Sequence, residues 1–361
     1  MKKRIIALFL CIATLLCVFT SCAKQKTAME YGGEKITANM YSYWMSRIKS
    51  GYVSSANDTD EYWDTEYSDG GTYEEKMREI VDYNVKVNLV CMKLFDDLGL
   101  KLSSEDKNNV KTAISDLVLS YGSKSELNTV LARYNVNVDI LEDIYIAELK
   151  ATRVFDALYA DGGERQIDDV ELDDYFKENY SRVDIIMIYD SFEYKKNEKG
   201  DLIYNSATGA YEKTELSADE AAKKKALAED VFEKIKAGED FGELKAQYNE
   251  YPDGGRYDKG YFISSKDSDA YDASMLLAVS KMQIGDVEKI ESEGAVCIIK
   301  RLELTEKPYL EDKYLDMFDN LVDYCEEADF NEYMGTLVKD VTVYDEVLSG
   351  FSVRKAALLA G

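Results

Sequence analysis

No histidine occurs in the 361 residues of this chain. That single absence removes Ser-His-Asp and Cys-His nucleophile systems, histidine general bases, and most zinc sites. Proline is almost missing, at two residues. Positive charge is scarce: 44 Lys and Arg stand against 70 Asp and Glu, a formal charge of −26. A surface of that sign repels nucleic acid and anionic lipid head groups. No glycine loop of phosphate-cradling spacing is present, so ATP-independent work is expected, with no cofactor and no metal. What the chain does have is enough apolar residue, 46%, for a packed core, and enough length for two folding units. It also has 28 tyrosines. They read as half-buried helix and strand faces, or as an aromatic surface for extended peptide segments.

The N-terminus sets the expected compartment. Lys2-Lys3-Arg4 is a basic region, and Ile5 to Phe19 is an apolar run too short for a comfortable membrane span. Thr20-Ser21-Cys22 follows. Small residues before such a cysteine resemble the bacterial lipobox, with Phe19 in place of the usual leucine. The resemblance implies a signal peptide over 1–21 and lipid attachment at Cys22. An ordinary signal peptide with a chance cysteine is the alternative. Cys11 and Cys17 would leave with the signal. Cys91, Cys297 and Cys325 then remain, and three thiols cannot all pair. Their apolar or helical settings predict buried free thiols.

From Met29 to Thr37 the chain reads as a short strand, a turn and a helix cap, with a helix from Ala38 to about Lys49. Gly51 to Thr72 is polar and aromatic and reads as a loop. Met77, Ile80, Val81, Val85, Leu89 and Met92 then recur at helical steps, ending at Gly99. Further helices are predicted from Ser103, from Ser125, and over Val138–Tyr159. This mostly helical unit holds no catalytic constellation. Asp161-Gly162-Gly163 breaks the pattern, and the segment Val170 to Tyr180 reads as one more helix.

Two compact apolar runs come next, Val183–Ile188 and Ala295–Lys300. Each has the β-branched content and flanking turn residues of a buried strand. Between them lie a Lys/Ala/Glu-rich helix capped by Ser217 with Glu220, the phrase Ala237-Gly238-Glu239-Asp240-Phe241, a loop ending Lys259-Gly260-Tyr261-Phe262, and Gln283-Ile284-Gly285-Asp286-Val287. In that order these motifs resemble the parvulin family of peptidyl-prolyl isomerases, over about a third of the chain. The flanking segments are similar to those of extracytoplasmic foldases that carry parvulin domains. Parvulins usually run from the first strand straight into the helix. Here residues 192–216 are inserted, with Leu202-Ile203-Tyr204 and Ala210-Tyr211-Glu212 as a candidate hairpin.

The resemblance implies an α+β fold: a mostly helical chaperone-like domain with an inserted parvulin-like domain, whose small, antiparallel-rich sheet is flanked by helices. The implied divisions are a helical N-terminal domain over 22–165, a parvulin-like domain over 166–305, and a C-terminal segment over 306–361. That last segment packs back on the first domain or forms an independent hairpin. The family's chemistry uses two histidines, a nearby Cys or Asp, and an apolar pocket. Placed residue by residue, the histidines fall on Asp184 and Cys297, the Cys/Asp position near Tyr251, and a pocket residue at Met275. Both histidines are therefore replaced. Prolyl isomerisation must lower an amide rotation barrier of about 18–20 kcal/mol, and a pocket without imidazoles implies weak or absent catalysis.

The expected function is thus a foldase or chaperone, lipid-anchored on the outer face of the bacterial cytoplasmic membrane, that binds unfolded or newly secreted polypeptides and no nucleic acid. A working isomerase and a structural or adhesive surface lipoprotein without client binding are the alternatives. An open apolar pocket between Asp184, Met275 and Cys297 keeps the first of these alive, and a filled one argues against it.

Overall fold

The structure, a computed structural model, describes residues 26–359 apart from 253, 254, 269 and 293. Cys22 and the expected signal peptide lie outside the described residues. Contacts divide the chain into two compact units. One is built from residues up to Gln166 and those from Glu327 onward, the other from Ile167–Glu326.

The first unit opens with β1 (Thr27–Tyr31) and β2 (Glu34–Thr37), an antiparallel pair. The Thr37 side chain accepts from the Met40 N–H and so caps α1 (Ala38–Tyr52). The expected loop over 51–72 contains a short helix, α2 (Asp60–Asp64), whose Trp63 is buried. Five residues are too few for a helical period to be visible in sequence. A capping box of Thr72 and Glu75 starts α3 (Tyr73–Asp97), which buries Met77, Val81, Val85 and Leu89 in one stripe. It ends in a Schellman arrangement at Gly99 (φ +67): Leu100 N–H donates to Phe95 C=O, and Gly99 N–H to Asp96 C=O. Helices α4 (Ser104–Ser120), α5 (Lys124–Leu131) and α6 (Val138–Tyr159) follow. The cap of α5 is Ser123 rather than Ser125.

The end of the chain completes this unit. Strand β11 (Thr342–Val343) pairs antiparallel with β1, Met29 opposite Val343. The Lys49 ammonium is fully buried, donates to the carbonyls of Arg354 (3.1 Å) and Ala356 (2.8 Å), and lies 2.9 Å from Asp58. Arg354 in turn reaches Glu74, Asp60 and Asp64.

In the second unit, α7 (Asp169–Asn179), capped by Asp168 and Glu171, leads into β3 (Tyr180–Tyr189). The sheet order is β8 (Tyr261–Ser264), β3, β10 (Ala295–Leu302), β9 (Val287–Ser292), and every neighbour is antiparallel. The two apolar runs therefore do lie side by side, and the α+β architecture follows. Helices α8 (Ala218–Lys236) and α9 (Phe241–Tyr248) supply Ala228, Val231, Phe241 and Leu244 to one face of the sheet. Helix α10 (Ala273–Lys281) supplies Met275 and Val279 to the other.

Residues 306–326 correct the expectation of a single C-terminal segment over 306–361. They fold with the second unit. Tyr309, Tyr314, Phe318 and Leu321 form an aromatic cluster with Phe176, Tyr180 and Phe262. Burying these four large side chains ties residues 309–321 to the second unit. Helix α11 (Leu321–Leu337) starts within this cluster; its Val322, and Leu315 before it, are about half exposed.

The insertion after β3 is a small layered hairpin. Strand β4 (Phe192–Tyr194) pairs with β7 (Lys213–Glu215), and β5 (Tyr204–Asn205) with β6 (Ala210–Tyr211).

Candidate functional site

Strand period two divides β3 into two faces. Val183, Ile185 and Met187 look toward α10 together with Cys297 and Ile299. Ile186 and Ile188 look toward α8 and α9 with Val296 and Ile298. A cavity of about 240 Å³ opens on the α10 face. Its sheet side is Ile185, Met187 and Cys297. Tyr261 and Met275 stand beside them, with Tyr251, Tyr271, Asp272 and Ser292 around the opening.

The structure thus brings together Tyr251, Met275 and Cys297 from the expected set and leaves Asp184 out. Opposed residues of an antiparallel pair share a face, and Cys297 opposes Met187 while Asp184 opposes Lys300. Asp184 is three positions from Met187, an odd offset, so it projects from the other face. There its carboxylate takes the Lys245 ammonium of α9 at 2.6 Å. The residues that line the cavity in its place are Ile185 and Met187. Alternation along β3 could have found them, once the register against Cys297 was known. Tyr271, Asp272 and Ser292 carried no sequence signal, because they come from loops and from a strand end.

The Tyr251 segment is held to the free edge of β3. Met187 N–H donates to the Asn249 side chain (2.9 Å), Glu250 N–H to Met187 C=O (2.8 Å), and Tyr189 N–H to the Glu250 carboxylate (2.8 Å). Further back along the same edge, Gly260 has φ +93, and a Cβ there would sit 2.3 Å from the Val183 carbonyl oxygen. Only glycine lets this loop enter β8 and place Tyr261 at the cavity.

The polar groups at the cavity are neutral or already engaged. Burial, helped by the Asp272 charge, pushes the Cys297 thiol up to about 11, so it is protonated at neutral pH. Burial likewise raises the Tyr271 phenol, with Tyr251 and Asp267 adding to it. Burial pushes the Asp272 carboxyl up, but hydrogen bonds from Ser274, Ser292 and the Met275 N–H outweigh it and hold the group below the usual range. Asp272 is also the cap of α10. The site therefore offers apolar walls, soft sulfur atoms and neutral donors, with its carboxylate committed to structure. Among the described residues, no group of three or more His, Cys, Asp or Glu is placed to hold a metal ion.

No family model matches the chain. It is 22% identical over 360 residues to the foldase protein PrsA of Caldanaerobacter subterraneus subsp. tengcongensis, a match that covers 98% of this chain and 96% of that one. The chain thus resembles a PrsA foldase over almost its whole length. Solved structures similar to it include PrsA from Bacillus subtilis, with 17% identity, a TM-score of 0.23, and coverage of 81% of this chain and 93% of that one. Another is the peptidylprolyl isomerase PrsA from Bacillus cereus, with 18% identity, a TM-score of 0.26, and coverage of 79% and 90%. At those scores the superpositions say nothing about individual residues. The cavity beside Met275 and Cys297 combines an apolar wall with converging donors.

Proposed function

We propose that this PrsA-like protein is an extracytoplasmic foldase that binds unfolded exported polypeptides, and that its cavity holds a proline side chain with weak isomerase catalysis. The observation that carries this reading is the open 240 Å³ cavity lined by Met187, Met275, Tyr261 and Cys297, in a chain similar over its whole length to a foldase. A pyrrolidine ring suits such apolar walls, and Met side chains adapt to it. Catalysis, however, needs groups that favour the twisted amide over the planar one. A protonated thiol and phenols supply weak hydrogen bonds and no charge, so binding outlasts rate enhancement here.

Full isomerase activity is the second reading, and the openness of the cavity is what favours it. Two measurements separate them. The purified protein is expected to suppress aggregation of a chemically unfolded client at stoichiometric amounts. It should accelerate isomerisation of a proline tetrapeptide only slightly, and Met275→Ala should abolish that remainder. A large rate enhancement would replace the first reading with the second. Absence of both effects would leave a structural surface lipoprotein.

The anchor is part of the same proposal. Cys22, after a basic and apolar leader, would carry the lipid, and two or three acyl chains give stable attachment at about 0.8 kcal/mol per buried methylene. Among the described residues no helix is long and apolar enough to cross a membrane. Expressed in a bacterium, Cys22→Ala is expected to move the protein from the membrane to the soluble fraction. A variant that stays with the membrane would refute the lipid anchor.

A further inference from the structure

A second, larger cavity of about 1170 Å³ lies in the same unit, between the inserted hairpin, α8 and the segment 248–252. It shares one residue with the proline-sized cavity. Tyr251, 41% exposed, lines both. Five tyrosines line the larger groove: Tyr189, Tyr194, Tyr211, Tyr248 and Tyr251. Several belong to one run of ring contacts that climbs from β3 into the insertion. Tyr189 meets Phe192 at 4.4 Å and Tyr194 at 5.3 Å, Tyr194 meets Tyr211 at 5.9 Å, and Tyr211 meets Tyr204 at 5.5 Å. The insertion is therefore fixed to the sheet by its aromatic residues, while the outermost rings stay in solvent: Tyr204 is 58% exposed and Tyr211 37%.

Charge tells which occupant suits the groove. The whole chain carries −26, yet Lys195, Lys196 and Lys224 line this groove against Glu193, Asp201 and Glu250. The lining is balanced, so it neither repels nor demands a charged guest. Leu202, Ile203, Leu227 and Pro252 add apolar surface among the tyrosines. Flat aromatic faces with hydroxyl tips, set along an open groove, match an extended chain of uncharged residues, whose backbone needs partners and whose side chains need apolar cover.

We infer that the inserted hairpin, residues 192–216, forms a groove for the extended polypeptide flanking the proline, so that the substrate is a proline-containing, uncharged extended segment rather than an isolated residue-proline pair. This rests on the proline reading of the smaller cavity. Tyr251 is the joint: with a proline beside Met275, the neighbouring residues pass Tyr251 into the tyrosine-lined groove. The insertion thereby adds contact length to a site whose catalytic groups are weak, and selects clients by the residues around the proline.

The test uses the full chain and two fluorescent peptides read by anisotropy. One is a tetrapeptide with a central proline. The other extends the same core on both sides with uncharged apolar and aromatic residues. The long peptide is expected to bind at least about fivefold tighter, the yield of one or two aromatic contacts. The double variant Tyr204→Ser/Tyr211→Ser, at solvent-facing rings, should remove that gain and leave tetrapeptide binding unchanged. A photoreactive group on a flanking residue of the long peptide should label residues 192–216, a readout that needs no substitution. Equal binding of the two peptides, a gain that survives the double variant, or labelling confined elsewhere would overturn the inference. Blocking the small cavity with Met275→Trp separates the two claims. Loss of tetrapeptide binding with retention of long-peptide binding and hairpin labelling supports the groove. Tetrapeptide binding untouched by that variant, with the tyrosine-dependent gain intact, removes the proline reading and keeps a peptide groove.

Discussion

Cys297 sits where the sequence resemblance would have a histidine, and its surroundings decide what it can do there. Buried at 1% exposure, with its thiol held neutral, it is a small apolar neighbour and a weak donor. Native protein at neutral pH should therefore react with a thiol reagent hardly at all, and denatured protein fully at all three of Cys91, Cys297 and Cys325. Fast labelling of Cys297 in the native state would show an ionised thiol and revive a chemical role. Met275, 4% exposed, packs in the core and forms one wall of the cavity. Met275→Ala is expected to cost about 2–5 kcal/mol of stability in urea denaturation, because a buried thioether side chain leaves a cavity behind. Asp184 gives the opposite expectation. Its ion pair with Lys245 is about one-fifth exposed on each side. Asp184→Asn should change stability within about 1 kcal/mol and leave proline-peptide binding unaltered. A strong binding defect in that variant would contradict its placement on the α8–α9 face.

Strand β3 is the element in which sequence and structure part company most usefully. Its existence and its partner β10 were legible from two β-branched runs, because burial on both faces leaves an apolar signature. Its facing was not legible, since a run apolar on both sides hides which alternate set meets which helix. Only the register, Cys297 opposite Met187, settles that Asp184 points away from the cavity. Helices α3, α6 and α8 were read with their bounds nearly in place, because long amphipathic stripes and capping residues are local signals. The cavity rim was not, because Tyr271, Asp272 and Ser292 are gathered by tertiary contact alone. The loop entering β8 makes a sharp prediction at this scale. Gly260→Ala places a methyl against the Val183 carbonyl oxygen and forces an L-residue to φ +93, so it should destabilise by more than about 1 kcal/mol. A urea midpoint equal to that of the parent protein would mean that the turn has another conformation within reach.

Across the whole molecule, buried acids without charge set the alkaline limit. Burial first, with other groups behind it, raises Tyr41, Tyr180, Tyr189 and Tyr271, and pushes Cys297 to about 11 and Cys91 to about 12. A group whose folded value is raised gives stability that is complete below its unfolded value and is lost as pH climbs toward the folded one. The unfolded chain releases its protons first, so unfolding free energy should fall steadily from about pH 9 upward, as denaturation followed at several pH values would register. A flat profile to about pH 11 would contradict the burial of these groups. In the first unit, Lys49 binds the end of the chain through two backbone carbonyls and Asp58. Replacing it by Ala should cost about 3–5 kcal/mol, the scale of a broken buried charge pair. That same clasp imposes an order of events. A polypeptide is made from its N-terminus, and α1 must wait with an uncovered ammonium until some three hundred later residues have appeared, whereas Ile167–Glu326 is continuous and free to mature first. The first unit is therefore incomplete until Arg354 and Ala356 arrive, and a chain cut before them would leave the ammonium of its earliest helix without those two carbonyls.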